Sequence, residues 1–330
     1  MDVPDYELPE AAIAQEPIEP RDAARLLVAL DPGGTVAHRH VRDLPEILEP
    51  DDLVVVNTSR VLPARLRLTK STGGAAEVLL LEPEPGSAEC WEALVRPGRR
   101  LPPGTVLEAD GEPWLEVGAH LEEGRRRVRL LRPEALDRIG TVPLPPYIHR
   151  PLTDPERYQT VYADRPGSVA APTAGLHLTN EVIDRLRRRG VEVHSVDLAV
   201  GLGTFRPVTA GRAEDHVMHV ERYSVPASTI EACRGPKRVV AIGTTTVRAL
   251  ESAAATGELE GRSDLFIHGD YPFAVVDVLM TNFHLPRSTL LLLLESFAGP
   301  RWRDLYGEAL ANRYRFLSFG DAMLIGREVR

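Results

Sequence analysis

Titratable side chains crowd into one short stretch, His216-Val-Met-His219-Val-Glu221. Three readings fit it: a metal held by His216, His219 and Glu221, acid–base or hydrogen-bonding work on an organic substrate, or a strand edge carrying polar residues. The spacing matches neither an i, i+4 histidine pair nor a known zinc signature, and cysteine is absent nearby, so no metal is expected. A second imidazole, His177, closes the loop Gly167-Ser-Val-Ala-Ala-Pro-Thr-Ala-Gly-Leu-His177, which includes Thr173, Ala174 and Gly175. A loop so poor in bulk either wraps a ligand with its backbone or crosses a buried space. Its histidine is either a base or a satisfied structural group. A further imidazole, His284, ends Thr281-Asn282-Phe283-His284.

These groups need elements to position them. Asp52–Asn57 (DLVVVN) is a short apolar, β-branched run and predicts a buried strand ending at Asn57-Thr-Ser-Arg60. A strand over Val191–Leu198 runs toward Gly201-Leu-Gly203-Thr204-Phe205. One over Arg238–Ile242 runs into Gly243-Thr244-Thr245, which opens a helix over Thr245–Thr256. One over Val275–Met280 runs into Asn282. A further short strand is expected at Leu265–Ile267. Thr179 can cap a helix reaching Arg189, and Ser288 one over Thr289–Phe297. Another helix is expected over Arg301–Tyr314. Helices alternating with strands predict an α/β domain with a mostly parallel sheet, which binds ligands at the carboxyl ends of its strands. Glycines there admit a ligand to the backbone, and a helix N-terminus favours an anion.

Between these stretches the pattern changes. Glu77–Leu81, Trp91–Arg96 and Arg126–Leu131 are short alternating runs broken by Gly and Pro. They predict a small β-barrel domain over 64–151, inserted into an α/β domain of 1–63 and 152–330.

The net charge of -9 argues against a general nucleic-acid binder. The 64–151 segment is balanced, with 13 Lys and Arg against 13 Asp and Glu. RNA contact would therefore use local clusters such as Arg125-Arg126-Arg127 or Arg96 with Arg99 and Arg100, unless these are merely solvated charges. The longest apolar run, Leu290–Leu294, is far below a membrane span, and the acidic start has no signal-peptide pattern. With only Cys90 and Cys233, a cytoplasmic setting is expected.

The chain resembles the S-adenosylmethionine:tRNA ribosyltransferase-isomerase family of queuosine biosynthesis over nearly its full length. The resemblance rests on ordered blocks. They include Asp5-Tyr-Glu-Leu-Pro-Glu10, Asn57-Thr-Ser-Arg-Val-Leu-Pro-Ala-Arg65, Leu144-Pro-Pro-Tyr-Ile148, Glu156-Arg-Tyr-Gln-Thr-Val-Tyr-Ala163 and the loop ending at His177. Val200-Gly-Leu-Gly-Thr-Phe205, His216-Val-Met-His219 with Glu221, Gly243–Ser252, Thr281-Asn-Phe-His-Leu-Pro286 and Phe319-Gly-Asp-Ala-Met323 complete them. The resemblance implies ribosyl transfer from S-adenosylmethionine to 7-aminomethyl-7-deazaguanine at the tRNA wobble position, giving epoxyqueuosine-tRNA, adenine and methionine. It implies no metal or redox cofactor, with S-adenosylmethionine as co-substrate and tRNA as partner. A monomer is expected.

On this reading His177, His216, His219, Glu221 and His284 are the catalytic candidates. Asn57, Arg60, Thr173, Ala174, Gly175, Gly201, Gly203, Thr204, Phe205, Thr244, Thr245, Arg248 and Asn282 are candidates for binding substrate. Arg248 lies in a first helical turn, where a cation opposes the dipole. It is expected to hold the methionine carboxylate, the alternative being a salt bridge to Glu251 one turn on. The chain departs from the family pattern where Leu198-Ala-Val-Gly201 lacks the usual histidine at Ala199, at Leu178, and at Gly269-Asp-Tyr271. Two other readings stay open: an S-adenosylmethionine-dependent enzyme for another amine, and a non-catalytic RNA- or nucleotide-binding relative.

Overall fold

The computed structural model describes residues 2–201, 212–216 and 218–328. In chain order, β1 (Arg25–Ala29), β2 (Ala37–His40), α1 (Leu44–Ile47) and β3 (Asp52–Asn57) come first, followed by β4 (Ser59–Val61). Then come β5 (Arg65–Lys70), β6 (Ala75–Pro83), β7 (Cys90–Arg96), β8 (Thr105–Ala109), β9 (Glu112–His120), β10 (Arg125–Leu130), α2 (Ala135–Ile139) and β11 (Gly140–Thr141). β12 (Arg165–Ser168), α3 (Asn180–Arg188), β13 (Glu192–Leu198), β14 (Glu221–Ser224), α4 (Ala227–Cys233), β15 (Arg238–Ile242) and α5 (Thr244–Thr256) follow. The last elements are β16 (Glu260–Ser263), β17 (Val278–Asn282), α6 (Thr289–Ala298), α7 (Trp302–Ala311) and β18 (Ala322–Gly326). Among the described residues, no helix is long and apolar enough to cross a membrane.

The chain divides into two compact units. The first comprises residues up to Arg60, Pro145–Arg165 and the chain from Ala171 onward. The second comprises Val61–Leu144 with Pro166–Ala170.

The first unit is built on a nine-stranded sheet in the order β16-β14-β13-β3-β15-β17-β18-β1-β2. Its centre, β13-β3-β15-β17, is parallel. β17 and β18 pair antiparallel, as do β1 with β2, β13 with β14 and β14 with β16. The sheet is therefore mixed, which corrects the mostly parallel sheet expected from the sequence. The helix–strand alternation that predicts parallel pairing covers only the centre, while the flanking strands return by other routes. The strand expected at Leu265–Ile267 is also absent. That stretch is irregular, and β16 lies just before it.

Of the central strands, β3, β15 and β17 are buried on both faces and read as largely apolar runs, while β13 is buried only toward its end. Val54, Val56, Val240, Ile242, Val278 and Met280 share one core with Leu44 and Leu48 and with Val182 and Leu186 of α3. Side chains alternate across a sheet, and α5 packs along β13, β3, β15 and β17 from the other side. Caps set the helix starts: the Thr179 hydroxyl accepts from Val182 N, and the Ser288 hydroxyl from Leu291 N. Gly257, in the left-handed region, ends α5.

The second unit is a barrel of antiparallel strands running β5-β6-β7-β10-β9-β8, closed by the pairing of β5 with β8 and extended by β11. Closure removes the edges that an open sheet of short strands would expose. Alternation on β10 turns Arg126, Val128 and Leu130 inward. Arg126 donates to the carbonyls of Gly98 (3.2 Å), Leu101 (2.9 Å) and Gly118 (2.6 Å). The neighbouring arginines face outward and are paired: Arg125 with Glu92, Arg127 with Glu84, Arg129 with Glu116 and Arg132 with Glu112. The Arg125-Arg126-Arg127 cluster is thus one interior anchor and two ion pairs, not the open cationic patch that RNA contact would use.

Candidate functional site

The four parallel strands end on one edge of the sheet, where a doubly wound layer opens its crevice. Gly243 N donates to Met280 O (2.8 Å), so the chain leaving β15 runs beside the end of β17. Gly243 holds φ 92°, a value that favours glycine, and turns the chain directly into α5. A cleft enclosing about 580 Å³ lies at this edge. Thr173 and Ala174 line it, with Gly243, Thr244 and Thr245 at the head of α5, Thr281 and Asn282 at the end of β17, and His284 beyond it. Six of the expected site residues therefore converge here: Thr173, Ala174, Thr244, Thr245, Asn282 and His284.

A second hollow of about 430 Å³ is lined by His216, His219, Glu221, Arg248 and Phe266. Leu290 lines both hollows. The His216 ring stands edge-on to Phe266, with centroids 5.5 Å apart. Its pKa is lowered by burial and by the charge of His219. Among the described residues, no group of three His, Cys, Asp or Glu side chains is placed to hold a metal ion.

Glu221 and Arg248 form a buried ion pair, 5% and 6% exposed. The other oxygen of Glu221 accepts from Gly201 N at 2.7 Å. Arg248 also donates to Leu265 O (3.2 Å) and Ser263 O (3.5 Å). Its fork is thus engaged by protein acceptors, and this geometry does not offer it to a ligand carboxylate. Nor is Glu251 its partner. That carboxylate accepts the N–H groups of Ala274, Val275 and Val276 at 2.8 to 3.0 Å.

Asn57 is fully buried and bonded on every side. Its oxygen accepts from Ser59 N and Leu198 N, each at 3.1 Å. Its amide donates to Leu198 O (3.0 Å) and to the Thr245 hydroxyl (3.2 Å). It ties the ends of β3 and β13 to the head of α5 and so shapes the cleft without opening into it. Arg60 forms a surface pair with Glu156 at 2.7 Å and does not line the cleft. Gly203, Thr204 and Phe205 lie outside the described residues.

His177 stands one layer behind the cleft. Asn282 Nδ2 faces the carbonyls of Leu317 and Asp321, both at 3.3 Å, which fixes that atom as the nitrogen. His177 Nε2, at 3.1 Å from it, is then the acceptor and carries no proton. Burial and the nearby Arg315, Arg157 and Arg21 lower the His177 pKa to about 3. Burial alone lowers His284 to about 3, and its Nε2 lies 3.0 Å from the Thr281 hydroxyl. Both imidazoles are neutral near pH 7.

Gly175 has a packing role. A Cβ there would lie 2.2 Å from the Tyr162 hydroxyl and 3.0 Å from Thr160 Cγ2. Gly175→Ala should destabilise the fold by roughly 1–3 kcal/mol through overpacking. Adding Tyr162→Phe should recover most of the loss. Urea midpoints of the two variants check this, and no recovery in the double variant would place the clash elsewhere.

Sequence reasoning passed over Tyr147, Thr281 and Ser288, which all line the cleft. The Tyr147 hydroxyl lies 2.7 Å from that of Ser318, and burial pushes its pKa up to about 12. The segment around it reads as an extended linker, because Pro145 and Pro146 favour extended backbone. The signal that points to it is a tyrosine held directly after two prolines.

An α/β sheet with a cleft at the carboxyl edge of its parallel strands, accompanied by a closed barrel, defines a two-unit ligand-binding protein of the enzyme type. A family model described as "Queuosine biosynthesis protein" matches residues 2–325. The chain is 51% identical to the S-adenosylmethionine:tRNA ribosyltransferase-isomerase of Rubrobacter xylanophilus, over 99% of this chain and 98% of the relative. It is 53% identical to the protein of that name from Thermus thermophilus, over 97% and 98%. The crystal structure of S-adenosylmethionine tRNA ribosyltransferase from Thermotoga maritima is similar, with a TM-score of 0.55 and 38% identity, covering 97% of this chain and 99% of that one. The chain belongs to the queuosine biosynthesis protein family.

Proposed function

We propose that this chain is an S-adenosylmethionine:tRNA ribosyltransferase-isomerase. It transfers and isomerises the ribosyl moiety of S-adenosylmethionine onto 7-aminomethyl-7-deazaguanine at the tRNA wobble position. The products are epoxyqueuosine-tRNA, adenine and methionine. The observation that carries the reading is the match to relatives of that name at about half identity over nearly the whole of both chains. The cleft supports it, with a helix head for an anion and polar side chains for the rest of a small zwitterionic nucleoside. The proposal takes tRNA and S-adenosylmethionine as partners, a monomer, a cytoplasmic setting, and no further cofactor.

The chemistry makes separate demands. The sulfonium acidifies the adjacent 5′ carbon, so a base must take a proton there. His177 and His284 are held neutral by burial and have little proton affinity, so they serve as hydrogen-bonding groups. His216 and His219, partly buried in the second hollow, remain as the candidates for the base. Adenine leaves with the help of a neutral donor, which His284 and the protonated Tyr147 phenol can supply.

The direct test is incubation with S-adenosylmethionine and tRNA bearing the aminomethyl deazaguanine. Release of adenine together with epoxyqueuosine in the RNA is expected. S-adenosylmethionine binding without either product would reject the reading. A second reading, another amine as acceptor, rests on Ala199, which directly precedes the cleft-lining Val200. Adenine release with free amines but not with tRNA would favour it.

A further inference from the structure

The Asn282 side chain is 3% exposed and lines the cleft. Its Nδ2 is used by the carbonyls of Leu317 and Asp321 and by His177 Nε2. Those carbonyls forbid the flipped amide, so the oxygen points the other way. Among the described residues, no donor meets Asn282 Oδ1. A buried acceptor left unpaired is costly, and on a residue that lines a cleft it offers a partner to a ligand's N–H group.

A second feature lies alongside. Ile242 is opposite Met280 in the parallel pairing of β15 and β17. Beyond that pair, Asn282 ends β17, while Gly243 turns the chain into α5 at Thr244, and Asn282 and Thr244 both line the cleft. Thr244 and Thr245 open α5, a helix of 13 residues, and their N–H groups have no helical carbonyl to bond. That end attracts an anion. An unpaired acceptor and an anion site thus belong to one cleft.

We infer that this edge of the cleft reads both charged groups of an α-amino acid, Asn282 Oδ1 accepting from the α-ammonium while the head of α5 takes the α-carboxylate. The inference rests on the proposed function for the amino acid's identity as the methionine half of S-adenosylmethionine. It assigns Asn282 a specificity role: an adenosyl sulfonium without the amine, or without the carboxylate, is discriminated against at this edge.

The test is titration calorimetry on the full chain. The ligands are S-adenosylmethionine, its analogue with hydrogen in place of the α-amine, its decarboxylated analogue, and its analogue with hypoxanthine in place of adenine. Loss of the amine and loss of the carboxylate should each weaken binding about tenfold or more, as expected for a charge-assisted hydrogen bond. In Asn282→Ala the amine penalty should shrink to about twofold while the carboxylate penalty persists, since the cycle isolates the paired groups. Equal binding of S-adenosylmethionine and the deaminated analogue by the unmodified protein overturns the inference and leaves the function standing. That comparison decides the matter even if Asn282→Ala does not fold. A cycle that couples Asn282 to the purine and not to the amine also overturns it. No binding of S-adenosylmethionine at all removes the functional reading, and the inference with it.

Discussion

Arg248→Met should cost about 3–5 kcal/mol of stability, because it leaves the Glu221 carboxylate buried without its cation. Glu221→Ala should cost a similar amount by stranding the guanidinium. The double variant Glu221→Leu, Arg248→Met should lose much less than the sum, since replacing both charges with apolar groups removes the desolvation cost along with the pair. Urea midpoints give all three values, and additive losses would show that the pair is not coupled. Arg248→Lys separates this role from direct substrate contact. It should lower the melting temperature while leaving the S-adenosylmethionine dissociation constant within about threefold. A tenfold rise would instead match the lost charged contact of a carboxylate clamp. Glu221 also fixes Gly201 N, so Glu221→Ala should lower turnover even in the folded fraction, because Gly201 loses its anchor.

Stability should fall steeply as the solution is acidified below pH 6.5. His177 and His284 have folded pKa values of about 3 against an ordinary 6.5. The unfolded chain therefore takes up two protons that the fold refuses. Their contribution is complete above pH 6.5 and is lost as the pH drops from there toward 3. Linkage puts the loss at about 2 kcal/mol per histidine between pH 7.5 and 5. Asp197 and Glu251, raised by burial, act in the opposite sense, so the total slope mixes signs. The difference between the protein and His284→Gln isolates one histidine. The variant should lose about 2 kcal/mol of the pH dependence over that interval. Identical slopes would mean that His284 is protonated within the fold.

Much of this architecture is written locally. Thr179 and Ser288 announce α3 and α6 because a cap is a contact between residues three apart. The runs at β3 and β15 announce themselves because strands buried on both faces have no alternation to disguise them. What is not legible is long-range. The antiparallel pairing of β18 with β17 depends on the route of the intervening chain, and nothing in Ala-Met-Leu-Ile-Gly encodes direction. Leu265–Ile267 has the composition of a strand, but Leu265 O accepts from Arg248 in an irregular segment. Helical spacing offers Glu251 to Arg248, yet the real partner is 27 positions away, and Glu251 turns to the 274–276 backbone. At the site, the sequence points to several loops that the fold brings to one edge. Which side chains face the cleft, as Thr244 does, and which brace it, as Asn57 does, follows from packing.

Four arginines of the barrel, Arg125, Arg127, Arg129 and Arg132, bear on how their face meets a polyanion. Each of the four is matched by a glutamate on a neighbouring strand or turn, and Arg129 lies directly opposite Glu116. Alternating charges at such spacing make a surface of dipoles, whose potential dies away well within the Debye length of about 8 Å at physiological salt. Such a surface condenses few phosphates and releases few counterions. Added salt should leave this face's share of RNA affinity nearly unchanged, in contrast to the steep log–log dependence of a cationic groove. Whatever these four pairs contribute to holding a nucleic acid, they contribute through shape and hydrogen bonds at contact distance, after the encounter and not by drawing the partner in.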